Sequence, residues 1–507
     1  MKSLFFIFFA VFTMGSVGFS QVGVCGTHDH DEIFERLEIN KRYLELHPDM
    51  LRNNEVLYVP VKFHVVTKDD GSGGIEEEAI LTQLCRLNND YEALKMQFYI
   101  KGDINHIPYT TLYDDPRHTF STIRMAANFA NNALNIFIVN KIGTNETGTT
   151  LGYYQPGRDW IVAIQSKVGN NETLSHEVGH FFSMAHPFYG WEGCPYQASV
   201  HGLQVNYTTV PCSGDLIELA NGSNCEDAAD KICDTPPDFN FGLYDPEQNC
   251  IQDFEVKDIN GDVVNPMENN FMGYFSNCAA YQFTPTQMSL MRADYQASGR
   301  NYIRSTYVPD TTLLSDEKPL ISEPAYNSTV PYYDHIYVNW SDVPGASSYL
   351  IKVTVGTISK KLYYYWVDDA SEIIITDLPA NQSFISMLIW PFNEGNSCNM
   401  KVSETHRFKT GGISVGVDEI NISESFKLYP NPVNQAAPVF ILENSGTADH
   451  YDLEIIQMNG QKVYSNSLLL NNGKNTIDLT GTNLNKGMYL FRIIHGQEIF
   501  NQKLSLN

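Results

Sequence analysis

The first apolar stretch runs without a break from Leu4 to Phe12, follows Lys2, and passes through small residues to Gly18-Phe19-Ser20. That shape predicts a secretory signal peptide over residues 1–20, cut near Ser20, and it is too short to span a bilayer. Val59-Pro60-Val61-Lys62-Phe63-His64-Val65-Val66 is β-branched and aromatic, which predicts a strand. Between Glu76 and Leu94 the apolar positions Ile80, Leu81, Leu84, Leu87 and Tyr91 fall at helical spacing. Asn135 to Val139 and Trp160 to Ile164 read as two more buried strands, and Gln282 to Tyr295 as a closing helix. Strand, helix, strands and helix in that order make an α/β unit.

Beyond a polar, proline-bearing stretch from Pro309 to Ser322, the pattern changes to alternation. Ile336-Tyr337-Val338-Asn339-Trp340 and Tyr349 to Val353, with a turn at Pro344-Gly345-Ala346 between them, predict a β-sandwich over residues 323–412. Trp340 is expected in its core. After a second break at 413–423, Leu428-Tyr429-Pro430-Asn431-Pro432, a hairpin turn at Asn459-Gly460-Gln461 and a strand after Lys486-Gly487-Met488-Tyr489 predict another all-β domain over 424–507. The chain is thus read as multidomain: an N-terminal segment 21–54, an α/β unit 55–308, a linker 309–322, and two all-β sandwich domains separated by the linker 413–423.

A length of 507 residues accommodates several separate cores. A formal charge of −26, from 33 basic and 59 acidic side chains, repels phosphate backbones and argues against nucleic-acid partners. No later stretch reads as a membrane span. Nine cysteines in an exported chain predict disulfides and, the number being odd, at least one thiol left over. Their pairing cannot be read from spacing.

The chemistry is concentrated in His176-Glu177-Val178-Gly179-His180-Phe181-Phe182-Ser183-Met184-Ala185-His186. Residues four apart share a helix face, so His176 and His180 can present ring nitrogens to one metal ion. Glu177, about 100° further round, can take a proton without being a ligand. His186 can join only if the chain leaves the helix sharply. Three imidazoles leave one position of a tetrahedral site open for water, as hydrolytic zinc requires. Structural zinc fills all four positions, often with cysteines, and has no use for Glu177. One catalytic zinc is the expectation.

This spacing resembles that of the metzincin metallopeptidases, and Asn270-Phe271-Met272-Gly273-Tyr274 looks like the methionine turn of their pappalysin family. Leu151-Gly152-Tyr153, Leu174-Ser175, Cys233-Asp234-Thr235-Pro236-Pro237 and Phe283-Thr284-Pro285-Thr286-Gln287 are similar to pappalysin segments in the same order, so the likeness covers roughly residues 25 to 305. It implies a twisted sheet above the active-site helix, a zinc site floored by Met272, and a Tyr274 that stabilises the oxyanion. It also implies a Cys250 to Cys278 bridge, with Cys194, Cys212, Cys225 and Cys233 pairing locally. Calcium is admitted by the same likeness, although no stretch matches a defined calcium loop. Ser183 stands where the family has glycine, which would strain the bend or displace His186. Phe275, Ser276 and Asn277 stand where arginine-preferring relatives carry acids, so a basic-residue preference does not carry over.

Cys25-Gly26-Thr27 resembles the cysteine switch of metzincin zymogens, in which a thiolate fills the open zinc position until a prosegment, here 21–54, is cut away. Arg52 is a candidate cut site, and a disulfide from Cys25 to Cys85 or Cys398 is the alternative. Residues 323–412 look like a fibronectin type III module. Residues 424–507 are similar to the C-terminal sorting domain read by type IX secretion systems. The resemblances together imply a secreted zinc endopeptidase acting on protein or peptide substrates, with the secretion machinery as partner. The competing reading is a surface-displayed adhesion protein with a vestigial metal site, against which the intact Glu177 argues.

Overall fold

The structure, a computed structural model, describes residues 23–27, 30–48, 55–143, 149–244, 250–414, 426–435, 438–444, 448–457, 462–482, 484–495 and 498–506. The expected signal peptide, Arg52, the Asn459-Gly460-Gln461 turn and most of the linker 413–423 lie outside these residues.

One seven-stranded sheet organises the N-terminal unit. Its strands are β1 (Gly23–Cys25), β2 (Leu57–Thr67), β3 (Met96–Ile100), β4 (Asn105–Pro108), β5 (Leu134–Val139), β6 (Thr149–Gln155) and β7 (Trp160–Ile164). Across the sheet they run β1-β6-β7-β5-β2-β3, with β4 also paired to β2. Only the β6–β7 pair is antiparallel. Parallel strands covered on both faces need nearly continuous apolar sequence, and every residue of β5 and β7 is buried.

Helices α1 (His30–Leu46) and α2 (Glu78–Asp90) precede two short ones, α3 (Thr110–Asp114) and α4 (Thr119–Ala127), and then α5 (Thr173–Phe181), which packs on β6 and β7. A loop-rich stretch holding α6 (Ala198–His201) and the pair β8 (Val256–Lys257) and β9 (Val263–Val264) leads to α7 (Pro285–Gln296). The predicted closing helix starts at Pro285 because Thr284 caps it: the Thr284 hydroxyl accepts the Gln287 N–H and the Gln287 side chain accepts the Thr284 N–H.

At nine residues α5 is too short to be stable alone, and its burial on every side supplies what propensity does not. Its C-terminal end is held electrostatically. The Phe181 carbonyl accepts from Arg36 Nη2 at 2.7 Å and from Arg300, and both guanidinium groups pair with Asp294. Cations belong at this end of a helix dipole. Since Arg36, Ile33, Phe34 and Leu37 lie on α1, the segment 21–54 contributes to the core of the α/β unit.

Residues 321–413 form sheets of three and five strands, and residues 426–506 form sheets of three and four. Each has its own apolar core, with Trp340 buried as expected. The first of these sandwiches meets the α/β unit at α2. Cys85 is bonded to Cys398, Lys352 pairs with Glu76 and Glu78, and Leu350 and Phe392 join the N-terminal core. The expected linker 309–322 lies along this sandwich, with Asn393 Nδ2 donating to Thr312 O and Ser315 N–H to Pro344 O. The remaining bridges are Cys194–Cys212, Cys225–Cys233 and Cys250–Cys278. Cys25 is a free thiol, which removes the disulfide alternative for it.

Candidate metal centre

Helix α5 carries His176 and His180 on one face, and the chain turns back at Ser183 to bring in His186. Ser183 has φ 64°, the left-handed region that a serine occupies at a cost of roughly 1 kcal/mol. Its hydroxyl donates to Phe182 O at 2.7 Å and accepts from Asn40 Nδ2 at 2.9 Å. The left-handed backbone expected to strain a serine is present there, and His186 nonetheless groups with His176 and His180.

The three Nε2 atoms converge, at 3.1 Å (His176 to His180), 3.2 Å (His176 to His186) and 3.1 Å (His180 to His186). A triangle of that size leaves a common point roughly 2.0–2.1 Å from every corner, about 1 Å off its plane, which is the zinc–imidazole bond length. Each ring gives its Nδ1 proton away: His176 to Phe271 O at 2.7 Å, His180 to Met184 O at 2.7 Å, His186 to Glu192 Oε1 at 3.2 Å. Those bonds fix the tautomer that aims every Nε2 lone pair inward. Burial drives His176 down to about 4, and burial followed by the neighbouring imidazoles holds His180 and His186 well below the ordinary histidine range. Neutral rings so placed have the protonation state that metal ligation requires, and with Cys25 they form a group that could hold a metal ion.

Glu177 hangs beside them. Burial pushes its carboxyl up to about 8, opposed by hydrogen bonds from Cys25 and Thr27. Its Oε1 has no hydrogen-bond partner among the described residues. Gly152 of β6 makes the room: a Cβ there would stand 3.0 Å from Glu177 Cγ and 3.1 Å from Oε1. Gly179 does the same on the other side of α5, where a Cβ would collide with Met272 Sδ. Met272 is fully buried beneath it, its N–H donating to Asn270 Oδ1 at 2.9 Å. Asn270 in turn donates to Gln287 Oε1, and Asp234 accepts from Thr284 Oγ1 at 2.7 Å, so the separate motifs 233–237, 270–274 and 283–287 meet at the start of α7.

Cys25 closes the fourth side. Its Sγ is 3.5 Å from His180 Nε2 and groups with the three histidines. In a tetrahedral site with bonds of about 2.0–2.1 Å to nitrogen and 2.3 Å to sulfur, the N···S edge is about 3.5 Å. Burial raises this thiol well above its usual range, and Glu177 adds to the shift. Thr27 Oγ1 donates to Glu177 Oε2 at 3.2 Å, and the Cys25 N–H donates to Tyr274 Oη at 3.0 Å. The Tyr274 ring stands 5.3 Å from that of His186. Strand β1 holds Cys25 here by pairing with β6, and Gly26 N–H donates to Gly152 O at 2.8 Å.

Sequence reasoning missed Glu192 and the role of Thr27. Nothing local marks Glu192, and Thr27 lies two residues past Cys25, beyond the end of β1, where no strand period points to it. Among the described residues, the groups able to converge on one metal ion are Cys25 with His176, His180 and His186, and His30 with His186 and Glu192, and neither is the all-oxygen set that calcium takes.

Among the described residues no helix is long and apolar enough to cross a membrane. No curated protein matches the chain. Among solved structures, a promirolysin mutant from Tannerella forsythia is similar at 19% identity, covering 55% of this chain and 96% of its own with a TM-score of 0.37. A human fourth FNIII domain matches at 17% identity over 24% of this chain and 98% of its own, TM-score 0.16. Dimeric latent PorU from Porphyromonas gingivalis matches at 15% over 39% and 20%, TM-score 0.17. The family described as secretion system C-terminal sorting domain matches residues 427–507. That domain marks the chain as secreted or displayed on the cell surface.

Proposed function

We propose that this chain is a secreted zinc endopeptidase of the pappalysin-like metzincin kind, exported through the periplasm as a latent precursor by the type IX machinery. The observation that carries the reading is the convergence of His176, His180 and His186 on one point with Glu177 beside it. Three neutral imidazoles suit zinc in donor type and spacing. Zinc held there would polarise the scissile carbonyl and acidify the attacking water. Glu177 would take the proton from that water and pass it to the leaving amine. Tyr274 Oη would donate to the oxyanion, where preorganised donors are worth most. Met272 supports the floor under Gly179.

The same geometry supports latency in the prosegment 21–54. Cys25 would occupy the fourth ligand position, Thr27 holds the base, and the Cys25 N–H engages Tyr274. Strand β1 covers the edge of β6, the edge to which an extended peptide substrate would add.

Casein hydrolysis by the processed protein tests the function. Activity is expected to fall to background with 1,10-phenanthroline and to return with added zinc. Hydrolysis that survives chelation would reject the metallopeptidase reading. A zinc-loaded, processed chain that cuts neither casein nor its own prosegment would favour the adhesion reading.

A further inference from the structure

The three histidines are not supported alike. His176 and His180 give their Nδ1 protons to backbone carbonyls, which are neutral and fixed by the fold. His186 alone faces a carboxylate. It is also the histidine least constrained by helix, lying beyond the left-handed bend at Ser183.

Glu192 is set in place by contacts that do not involve the His186 ring. The Tyr189 N–H bonds to His186 O and the Trp191 N–H to Phe188 O, at 3.0 and 2.9 Å, so two tight turns return the chain toward the site. Trp191 is buried and stacks on Phe239, which anchors the residue next to Glu192. The Gly190 N–H donates to Glu192 Oε2 at 2.7 Å, leaving Oε1 directed at His186 Nδ1. One carboxylate oxygen thus holds the turn and the other holds the ring. His30 also stands nearby, its ring nitrogen within the same group as those of His186 and Glu192.

We propose that Glu192 is a positioning residue for the metal centre: its carboxylate fixes the tautomer and aim of His186 and increases that ring's donor strength. The inference rests on the zinc reading above. A carboxylate behind a ligating imidazole typically contributes a factor of about 10–100 to metal affinity. It acts through orientation and charge without touching the ion.

The test is zinc affinity of the full-length chain by competition with a fluorescent chelator, for the wild type, Glu192→Gln and Glu192→Ala. Glu192→Ala is expected to bind zinc about 10–100-fold more weakly. Glu192→Gln, which keeps an acceptor and loses the charge, is expected to fall between the two. The melting temperature of the zinc-free proteins is measured alongside, and the proposal expects it to be nearly equal for all three. Variants that bind zinc within twofold of wild type overturn the role of Glu192 and leave the zinc reading standing. So does an affinity loss matched by an equal destabilisation of the zinc-free fold, which would make Glu192 a loop anchor only. A wild-type chain that takes up no zinc overturns both.

Discussion

Replacing Glu177 by glutamine is expected to lower kcat/KM of the processed protein roughly 10²–10⁴-fold, the range that general acid–base catalysis supplies. Zinc content is expected to stay the same. The two effects separate because Glu177 stands beside the three converging nitrogens and is not one of them. Glutamine has the same length and fits the space that Gly152 leaves over the side chain, so the helix keeps its packing. It cannot accept the proton. Peptide hydrolysis measured with metal analysis on the same sample checks this. A variant that loses its zinc would make Glu177 a ligand, and one that keeps full activity would place the base elsewhere.

Replacing Cys25 by alanine is expected to release the unprocessed chain from latency. If the thiol fills the fourth position, its loss opens that position to water, and peptide hydrolysis by the intact precursor should rise on the order of tenfold or more, since thiolate is among the strongest zinc ligands. The rise should stop short of the processed protein's activity. Thr27 still holds Glu177 Oε2, and β1 still pairs with β6. A precursor of Cys25→Ala as silent as the wild type would mean that strand pairing and the Thr27 bond impose latency without the thiol. Both variants leave the disulfides untouched, since Cys25 is not in one.

The parts of the site that were legible in the sequence are those set by local geometry. His176 and His180 share a face because the helical period puts them there, and Glu177 follows from the same helix. His186, Met272 and Tyr274 came from motif likeness, because the bend at Ser183 and the turn at 270–274 have no periodic signature. The contacts that complete the site were not legible. Arg36 and Arg300 reach the Phe181 carbonyl from opposite ends of the unit, and Asp234 meets Thr284 across about 50 residues. Propensity carries no information about such pairings.

The same holds for the domains. Alternation marked both sandwiches, and burial of Trp340 followed from it. That the first sandwich docks on α2 was hidden, because Glu76 and Glu78 look like ordinary solvent-facing residues until Lys352 is beside them. The segment 21–54 reads as an appendage by position, yet Ile33, Phe34 and Leu37 at helical spacing bury into the core. The polar composition of 309–322 suggests a free tether, and side-chain amides of the sandwich hold it instead.

The three-histidine zinc site is tested most directly by anomalous diffraction at the zinc absorption edge from crystals of the full-length chain grown with zinc. A single strong peak is expected about 2.0–2.1 Å from the Nε2 atoms of His176, His180 and His186, and it is expected to disappear in His180→Ala. No peak among those three nitrogens, or one that survives the loss of His180, would contradict that site.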